Sequence, residues 1–194
     1  MGFRATARPG GRSARVQRSV HRAVRELEAE VGREALTVPL VAARAGVTPS
    51  TVYRRWGDLR ELLSDVAIER LRPDAPPADH GGLRADLEAW VAQFVEEMSS
   101  AAGRMYIRDA LLGDPEQGNA VRCCDYAAEQ LEAVCVRAAG RGEGVPGVES
   151  LLDVLVAPVM YRILFRPSEL SGAYTDGLVA AALGAAAPPP PPGR

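Results

Sequence analysis

The sequence lacks any long apolar run. No stretch reaches about 18 consecutive apolar residues, the shortest that suits a membrane span. The first residues, MGFRATARPGGRSAR, contain no apolar segment of the kind that a signal peptide needs. We therefore expect neither a membrane span nor a signal peptide, and we predict a cytoplasmic protein.

Side chains that bind metals or carry out catalysis are also scarce. The chain has two histidines, His21 and His80, which lie far apart, and three cysteines, an odd number that argues against disulfides in a reducing compartment. No serine lies in a G-x-S-x-G motif. The glycine-rich stretch GRGEGVPG lacks the lysine and the preceding strand of a phosphate-binding loop. We predict no metal, no cofactor and no enzymatic activity.

Lysine is absent, and the arginines that replace it are unevenly distributed. Residues 1–72 carry 14 arginines against 8 acidic residues, a net charge of +6, whereas the remainder carries 9 against 17, a net charge of −8. A basic first part on an acidic body suits a phosphate-binding module joined to a regulatory body. Residues 1–12 are expected to form a disordered basic arm, which is either a solvated tail or a segment that contacts DNA.

Two short helices joined by a tight turn are predicted between Thr37 and Trp56. Thr37 is a candidate N-cap, and Gly46 suits the left-handed position that ends the first helix. Thr48 followed by Pro49 is the strongest helix start in the sequence, because a side-chain cap precedes a proline at the first helical position. The second helix presents one polar face, made of Pro49, Ser50, Tyr53 and Arg54.

The residues LTVPLVAARAGVTPSTVYRRW at 36–56 and GDLRELL at 57–63 resemble the DNA-binding domain of the TetR family of transcriptional regulators. APVMYRILF at 157–165 resembles a recurring element of the family's C-terminal domain. The resemblance implies an all-α fold. An N-terminal three-helix DNA-binding domain with a helix-turn-helix would occupy 13–72, and a helical C-terminal ligand-binding and dimerisation domain would occupy 83–184.

The resemblance also implies that the helix around Tyr53 enters the major groove of double-stranded operator DNA. We predict phosphate contacts from Thr37, Tyr53 and Arg55, and base contacts from Ser50, Thr51 and Arg54. Leu59 stands where the family commonly has lysine, so Arg60 is the candidate for that phosphate contact. The predicted DNA-binding residues are Thr37, Thr48, Pro49, Ser50, Thr51, Tyr53, Arg54, Arg55 and Arg60.

A proline- and glycine-rich stretch at 73–82 is the predicted linker to the body, and the proline-rich tail at 185–194 is expected to be disordered. The resemblance implies a small-molecule cavity in the body, with apolar walls and a few polar groups. Plain core packing is the alternative interpretation of each apolar residue. The predicted ligand-binding residues are Trp90, Phe94, Met98, Tyr106, Arg108, Tyr126, Met160 and Phe165.

Residues 148–165 form a predicted helix that is apolar almost all round, so it must be covered on both sides, and a subunit interface is the natural second cover. Pro158 should kink this helix or end one segment of it. By resemblance, the last two helices of each subunit pair in a homodimer. The predicted interface residues are Leu152, Leu155, Val156, Val159, Ile163, Leu178 and Val179.

The sequence thus predicts a homodimeric transcriptional repressor that a small-molecule effector releases from its operator. One alternative is a constitutive DNA-binding protein with a solid body and no effector, which a structure without a cavity above about 300 Å³ would favour. The other is an enzyme or carrier with an attached helix-turn-helix, which would need a cluster of convergent titratable groups.

Overall fold

The computed structural model describes residues 11–113, 118–167 and 170–184, and every regular element in these ranges is a helix. The predicted all-α fold is confirmed. Most of the predicted basic arm and the whole proline-rich tail at 185–194 lie outside the described residues. None of the described helices combines the length and the apolarity that crossing a membrane requires.

The basic first part folds as four helices around one apolar core. Its helices are α1 (Arg12–Val31), α2 (Val38–Ala45), α3 (Pro49–Trp56) and α4 (Leu59–Leu71), with a short 3-10 turn (Arg33–Ala35) after α1. Apolar side chains at three- and four-residue spacing on α1 and α2 meet the inner sides of α3 and α4. The buried residues of this core are Val20, Ala23, Val24, Leu27, Leu36, Val38, Val41, Ala42, Val52, Trp56, Leu62 and Val66.

The turn between α2 and α3 is built as the sequence indicates, with one exception. Thr37 Oγ1 accepts the N–H of Leu40 at 3.3 Å, and Gly46 ends α2 in the left-handed region at φ 69° and ψ 32°. Helix α3 begins at Pro49 with Thr48 in the N-cap position, as predicted, but the Thr48 side chain makes no capping bond, so the predicted side-chain cap is wrong. The Thr48 hydroxyl lies 3.0 Å from the hydroxyl of Thr51 instead.

The acidic second part is a helical body with its own core. It contains α5 (Leu83–Ser99), α6 (Ala101–Leu112), α7 (Asn119–Gly140), α8 (Val148–Leu151), a π-helical turn (Leu152–Val156), α9 (Ala157–Phe165) and α10 (Gly172–Gly184). Its core also takes in Ile68 and Leu71 from α4. Because α4 contributes to both cores, the two parts share a helix.

Pro158 interrupts the long apolar helix as predicted. It lies in the first turn of α9, immediately after the π-helical turn. Proline has no N–H to donate, and its ring clashes with the carbonyl group four residues earlier. A wider π turn accommodates both defects and lets the helix continue.

Four of the predicted dimer-interface residues are buried within their own subunit. Leu155, Val159 and Val179 are 0% exposed and Ile163 is 1% exposed, all within the core of the body. They are therefore not available to a second subunit. The predicted residues Leu152, Val156 and Leu178 are only partly buried and lie at the margin of that core.

The exposed side of the last two helices consists of different residues from those predicted. Tyr161 and Phe165 of α9 are 55% and 69% exposed, and their ring centroids are 5.3 Å apart. The exposed face of α10 carries mostly small residues, namely Gly172, Ala173, Gly177, Ala180, Ala181 and Gly184, together with the charged residue Asp176. A helix that is apolar almost all round does not reveal from its sequence which side faces inward.

Candidate nucleic-acid interface and ligand cavity

The packing of α3 determines which of its side chains are available to DNA. Val52 and Trp56 are buried in the core, and this fixes the rotation of the helix. Ser50, Tyr53 and Arg54 consequently point outward, and Tyr53 is 48% exposed. Pro49 is exposed at the start of the helix. The predicted polar face of α3 is thus continuous and exposed.

Two other predicted residues of α3 already have partners within the protein. The half-buried Thr51 shares one hydrogen bond with Thr48 at the start of the helix, in which either hydroxyl can be the donor. Arg55 donates to Ser13 Oγ at 2.6 Å and to Gln17 Oε1 at 2.6 Å, and its guanidinium lies 5.1 Å from the ring centroid of Trp56. Arg55 thus joins the end of α3 to the start of α1, a link that the sequence did not reveal.

Thr37 and Arg60 lie on either side of α3 along the chain, and both are exposed. The Thr37 hydroxyl accepts the Leu40 N–H and keeps its own proton free for a phosphate oxygen. Arg60 is in the first turn of α4, beside the half-buried Leu59. In the described ranges, the guanidinium groups of Arg54 and Arg60 have no carboxylate oxygen within 4.0 Å.

A cluster of polar side chains on the core side of α3 holds the end of this helix in place. Asp65 Oδ2 lies 2.9 Å from Trp56 Nε1, 2.9 Å from His21 Nε2 and 3.0 Å from Gln17 Nε2. The other ring nitrogen of His21 faces Glu69. Burial raises the pKa of Asp65, but the hydrogen bonds from His21 and Trp56 outweigh it and leave that pKa below its usual value. The cluster joins α1, α3 and α4.

A cavity of about 480 Å³ lies in the body next to the end of α4. Five of the eight predicted ligand-binding residues line it, namely Trp90, Phe94, Met98, Tyr106 and Tyr126. The rings of Trp90 and Phe94 stack at 5.1 Å with an angle of 17° between their planes. Burial raises the pKa of the Cys123 thiol in the same wall to about 11, so this group is neutral near pH 7.

The other three predicted ligand-binding residues do not line this cavity. Arg108 is exposed on α6. Met160 packs at the margin of the body core, and Phe165 lies on the outer side of α9. The sequence shows that these residues are apolar or charged and helical, but not which side of each helix faces the cavity.

The first part of the predicted linker also forms one wall of the cavity. Residues 73–78 line it together with Arg70 and Arg72 at the end of α4. Arg137 of α7 holds this segment by donating to the carbonyl oxygens of Pro77 at 2.9 Å and Ala78 at 2.6 Å.

The far end of the linker is held by the buried carboxylate of Asp86. It accepts the N–H of His80 at 2.6 Å and forms ion pairs with Arg137 at 3.1 Å and Arg141 at 3.0 Å. Burial raises the pKa of Asp86, but these hydrogen bonds and charges outweigh it and lower the pKa below its usual value. The linker is therefore an ordered part of the body surface.

One ion pair connects the basic first part directly to the helix that carries Tyr106. Arg33 Nη2, in the 3-10 turn, lies 2.5 Å from Asp109 Oδ1 on α6, and Arg33 Nη1 lies 3.1 Å from Glu28 Oε1. Asp109 is 6% exposed. Burial raises its pKa despite the nearby guanidinium. No sequence pattern marks this pair, because its members are far apart in the chain.

The comparisons with known proteins agree with this architecture. Residues 22–66 match the profile of the bacterial regulatory proteins of the tetR family, and residues 77–182 match the profile of the tetracyclin repressor-like C-terminal domain. A helix-turn-helix transcriptional regulator of Mycobacterium bovis is 47% identical over 141 residues, which cover 69% of this chain and 68% of that protein.

Two further matches extend the similarity. The DNA-binding transcriptional repressor TetR of Mycobacteroides abscessus is 29% identical over 145 residues, covering 68% of this chain and 73% of that protein. The crystal structure of the TetR family transcription regulator SCO0332 aligns with a TM-score of 0.63 at 26% identity, covering 89% of this chain and 99% of that one. The chain belongs to the TetR family of helix-turn-helix transcriptional regulators.

Proposed function

We propose that this chain is a homodimeric repressor that inserts α3 into the major groove of an operator. The observation that carries the proposal is the exposed face of Ser50, Tyr53 and Arg54 on a helix whose rotation is fixed by buried Val52 and Trp56. We assign Arg54 and Ser50 to base edges, and Tyr53, Thr37 and Arg60 to phosphates. Because Arg55, Thr48 and Thr51 have partners within the protein, we assign them chiefly to holding α3 in place.

The dimer that we propose uses the outer side of α9 and α10. Tyr161 and Phe165 supply exposed aromatic surface, and the small residues of α10 allow close approach of a second copy. Regulators of this family act as dimers, and a two-fold pair places its two α3 helices about 34 Å apart on one side of the DNA. The operator should therefore be nearly palindromic.

The cavity is the site that we assign to a small-molecule effector. Its volume is about 480 Å³. The alternative of a constitutive regulator with a solid body called for no cavity above about 300 Å³, so the volume supports an effector site. An effector acts by binding the DNA-bound and released states with different affinity. Members of this family are generally not enzymes, and we place this regulator with its DNA in the cytoplasm.

Selection of operator sequences from random duplexes, followed by binding measurements at several salt concentrations, tests the DNA-binding part. Arg54→Ala should weaken discrimination between operator and random DNA by about 1–3 kcal/mol, the value of one bidentate base contact. Arg60→Ala should weaken binding to both DNAs equally and reduce the salt dependence, because a phosphate contact is not sequence-specific.

The matched control is Arg84→Ala, which removes an exposed arginine of α5 outside this surface. Equal losses on operator and random DNA in Arg54→Ala would show that Arg54 contacts only phosphate. A chain that bound no duplex above the random level would contradict the proposed function itself.

A further inference from the structure

The large apolar side chains of the cavity are mostly aromatic. The chain has two tryptophans, five tyrosines and three phenylalanines, and four of these ten rings line this one cavity. The long aliphatic side chains in the same lining are Leu71 and Met98, with no valine or isoleucine among the lining residues described. Flat rings that already stack on each other favour a planar, unsaturated ligand over a flexible alkyl chain.

Two arginines of the lining can bind an anion. Arg70 and Arg72 both line the cavity, and within the described residues neither guanidinium has a carboxylate oxygen within 4.0 Å. Arg70 instead lies over the ring of Tyr106, 5.9 Å from its centroid. By contrast, Arg33, Arg137 and Arg141 are each paired with a carboxylate.

Two carboxylates, Glu97 and Asp74, also line the cavity, so the formal charges of its lining balance and the positions of the arginines decide the preference. Glu97 accepts a hydrogen bond from Gln93 Nε2 at 2.8 Å on α5. Asp74 lies in the exposed linker. A guanidinium without a carboxylate partner at the edge of an apolar site is suited to a carboxylate, sulfonate or phenolate, to which it can donate two parallel hydrogen bonds.

We propose that the ligand of this cavity is a planar aromatic acid, with its rings against Trp90, Phe94, Tyr106 and Tyr126 and its anionic group bound by Arg70 and Arg72. This assignment names the chemical class of the effector, and it rests on the effector function proposed above. Arg70 and Arg72 lie at the end of α4, the helix shared by the two cores, so the acid group would bind directly to the DNA-binding part.

A matched pair of fluorescent probes tests the charge in the full-length chain. 8-Anilino-1-naphthalenesulfonate and N-phenyl-1-naphthylamine have the same rings and differ by the sulfonate. We expect one sulfonate probe per subunit, bound about tenfold more tightly than the neutral probe. In the double variant Arg70→Gln with Arg72→Gln, the difference in affinity between the two probes should disappear. In the control variant Arg84→Gln, it should remain. Equal affinity of the two probes in the unmodified chain, or an unchanged difference in the double variant, would overturn the proposed acid group.

Competition against the bound sulfonate probe tests the aromatic part. We expect 2-naphthoate to displace the probe at a concentration several-fold lower than decanoate, and Phe94→Leu, which keeps an apolar side chain, to reduce this advantage by about threefold. Decanoate displacing the probe as effectively as 2-naphthoate would overturn the preference for aromatic ligands.

Measuring release of the operator by different compounds tests the ligand class and the effector function separately. If aliphatic or cationic compounds released the operator and aromatic acids did not, the ligand class would be wrong and the effector function would stand. If aromatic acids filled the cavity and left operator affinity unchanged, the ligand class would stand and the effector function would be contradicted.

Discussion

Asp65 is the residue on which the position of α3 depends most directly. One of its carboxylate oxygens meets nitrogens of Gln17, His21 and Trp56, and Trp56 is the last residue of α3. Removing the charge leaves buried donors without an ionised acceptor, which is costly in a poorly hydrated site. The stability of the DNA-binding part therefore depends on a side chain that does not itself reach DNA.

Asp65→Asn should lower the free energy of unfolding by about 2 kcal/mol, because an amide offers one acceptor oxygen and an N–H₂ group that faces other donors. Thermal unfolding followed by circular dichroism measures the loss. Asp74→Asn, in the exposed linker, is the control and should leave the melting temperature unchanged. A melting temperature of Asp65→Asn equal to that of the unmodified chain would show that the cluster adds no net stability.

The same cluster predicts a dependence of stability on pH. Since the folded state lowers the pKa of Asp65, folding favours the ionised carboxylate. Its contribution is fully present above the unfolded pKa of about 4 and is lost as the pH falls through the lower folded pKa. The difference in melting temperature between the unmodified chain and Asp65→Asn should therefore shrink as the pH falls below about 4. A difference that grew over that range would contradict the assigned direction.

The pair of Arg33 and Asp109 should couple the stability of the two parts. Arg33→Ala leaves Asp109 buried without its cation and should cost about 2 kcal/mol, whereas the double change of Arg33→Ala with Asp109→Ala should cost less than the two single changes together. Chemical denaturation of the unmodified chain, the two single variants and the double variant gives the four free energies of unfolding that a double-mutant cycle needs. Additive losses would show that the pair has no coupling energy.

At the scale of elements, Gly46 determines how α2 turns into α3. Its φ of 69° lies where a Cβ is unfavourable, although no neighbouring atom would contact that Cβ. Gly46→Ala should therefore destabilise the chain by about 1 kcal/mol through backbone strain alone and weaken operator binding. The control is Gly144→Ala, also without neighbours but with no positive φ. Equal melting temperatures for the two variants would exclude strain at Gly46.

The local features of these elements could be predicted from the sequence. Thr37, Gly46 and Pro158 act on residues within four positions of themselves, so their effects are visible in a short window. The link from Arg55 to Ser13 spans 42 residues, and that from His21 to Asp65 spans 44. Such pairs depend on how the helices pack, and no spacing rule identifies them.

The orientation of the later helices was the least predictable part. Residues 148–165 are apolar on almost every side, so hydrophobic periodicity did not separate Val159, which is buried, from Phe165, which is exposed. On α5, polar residues interrupt the apolar stripe, and Trp90, Phe94 and Met98 do line the cavity. Sequence patterns locate a site only where a helix has both a polar and an apolar side.

At the scale of the whole molecule, the exposed aromatic surface of α9 predicts the effect of a charge there. Phe165→Glu should shift the chain from dimer to monomer in analytical ultracentrifugation, because a carboxylate would be buried between two subunits. Operator affinity should fall with it, since two linked α3 helices bind more tightly than one.

The control for Phe165→Glu is Leu111→Glu, on α6 and away from this surface, where the native side chain is 58% exposed. This variant should stay dimeric. A dimer that persisted in Phe165→Glu would place the interface elsewhere.

The dual role of residues 73–78 bears on how members of this family can be recombined. Because the same segment joins the two parts and closes one side of the cavity, a hybrid protein divided at the start of α5 would leave the donor body with an incomplete site. To join this body to the DNA-binding domain of another family member, a functional hybrid would have to include all of residues 73–78 and the two arginines that precede them.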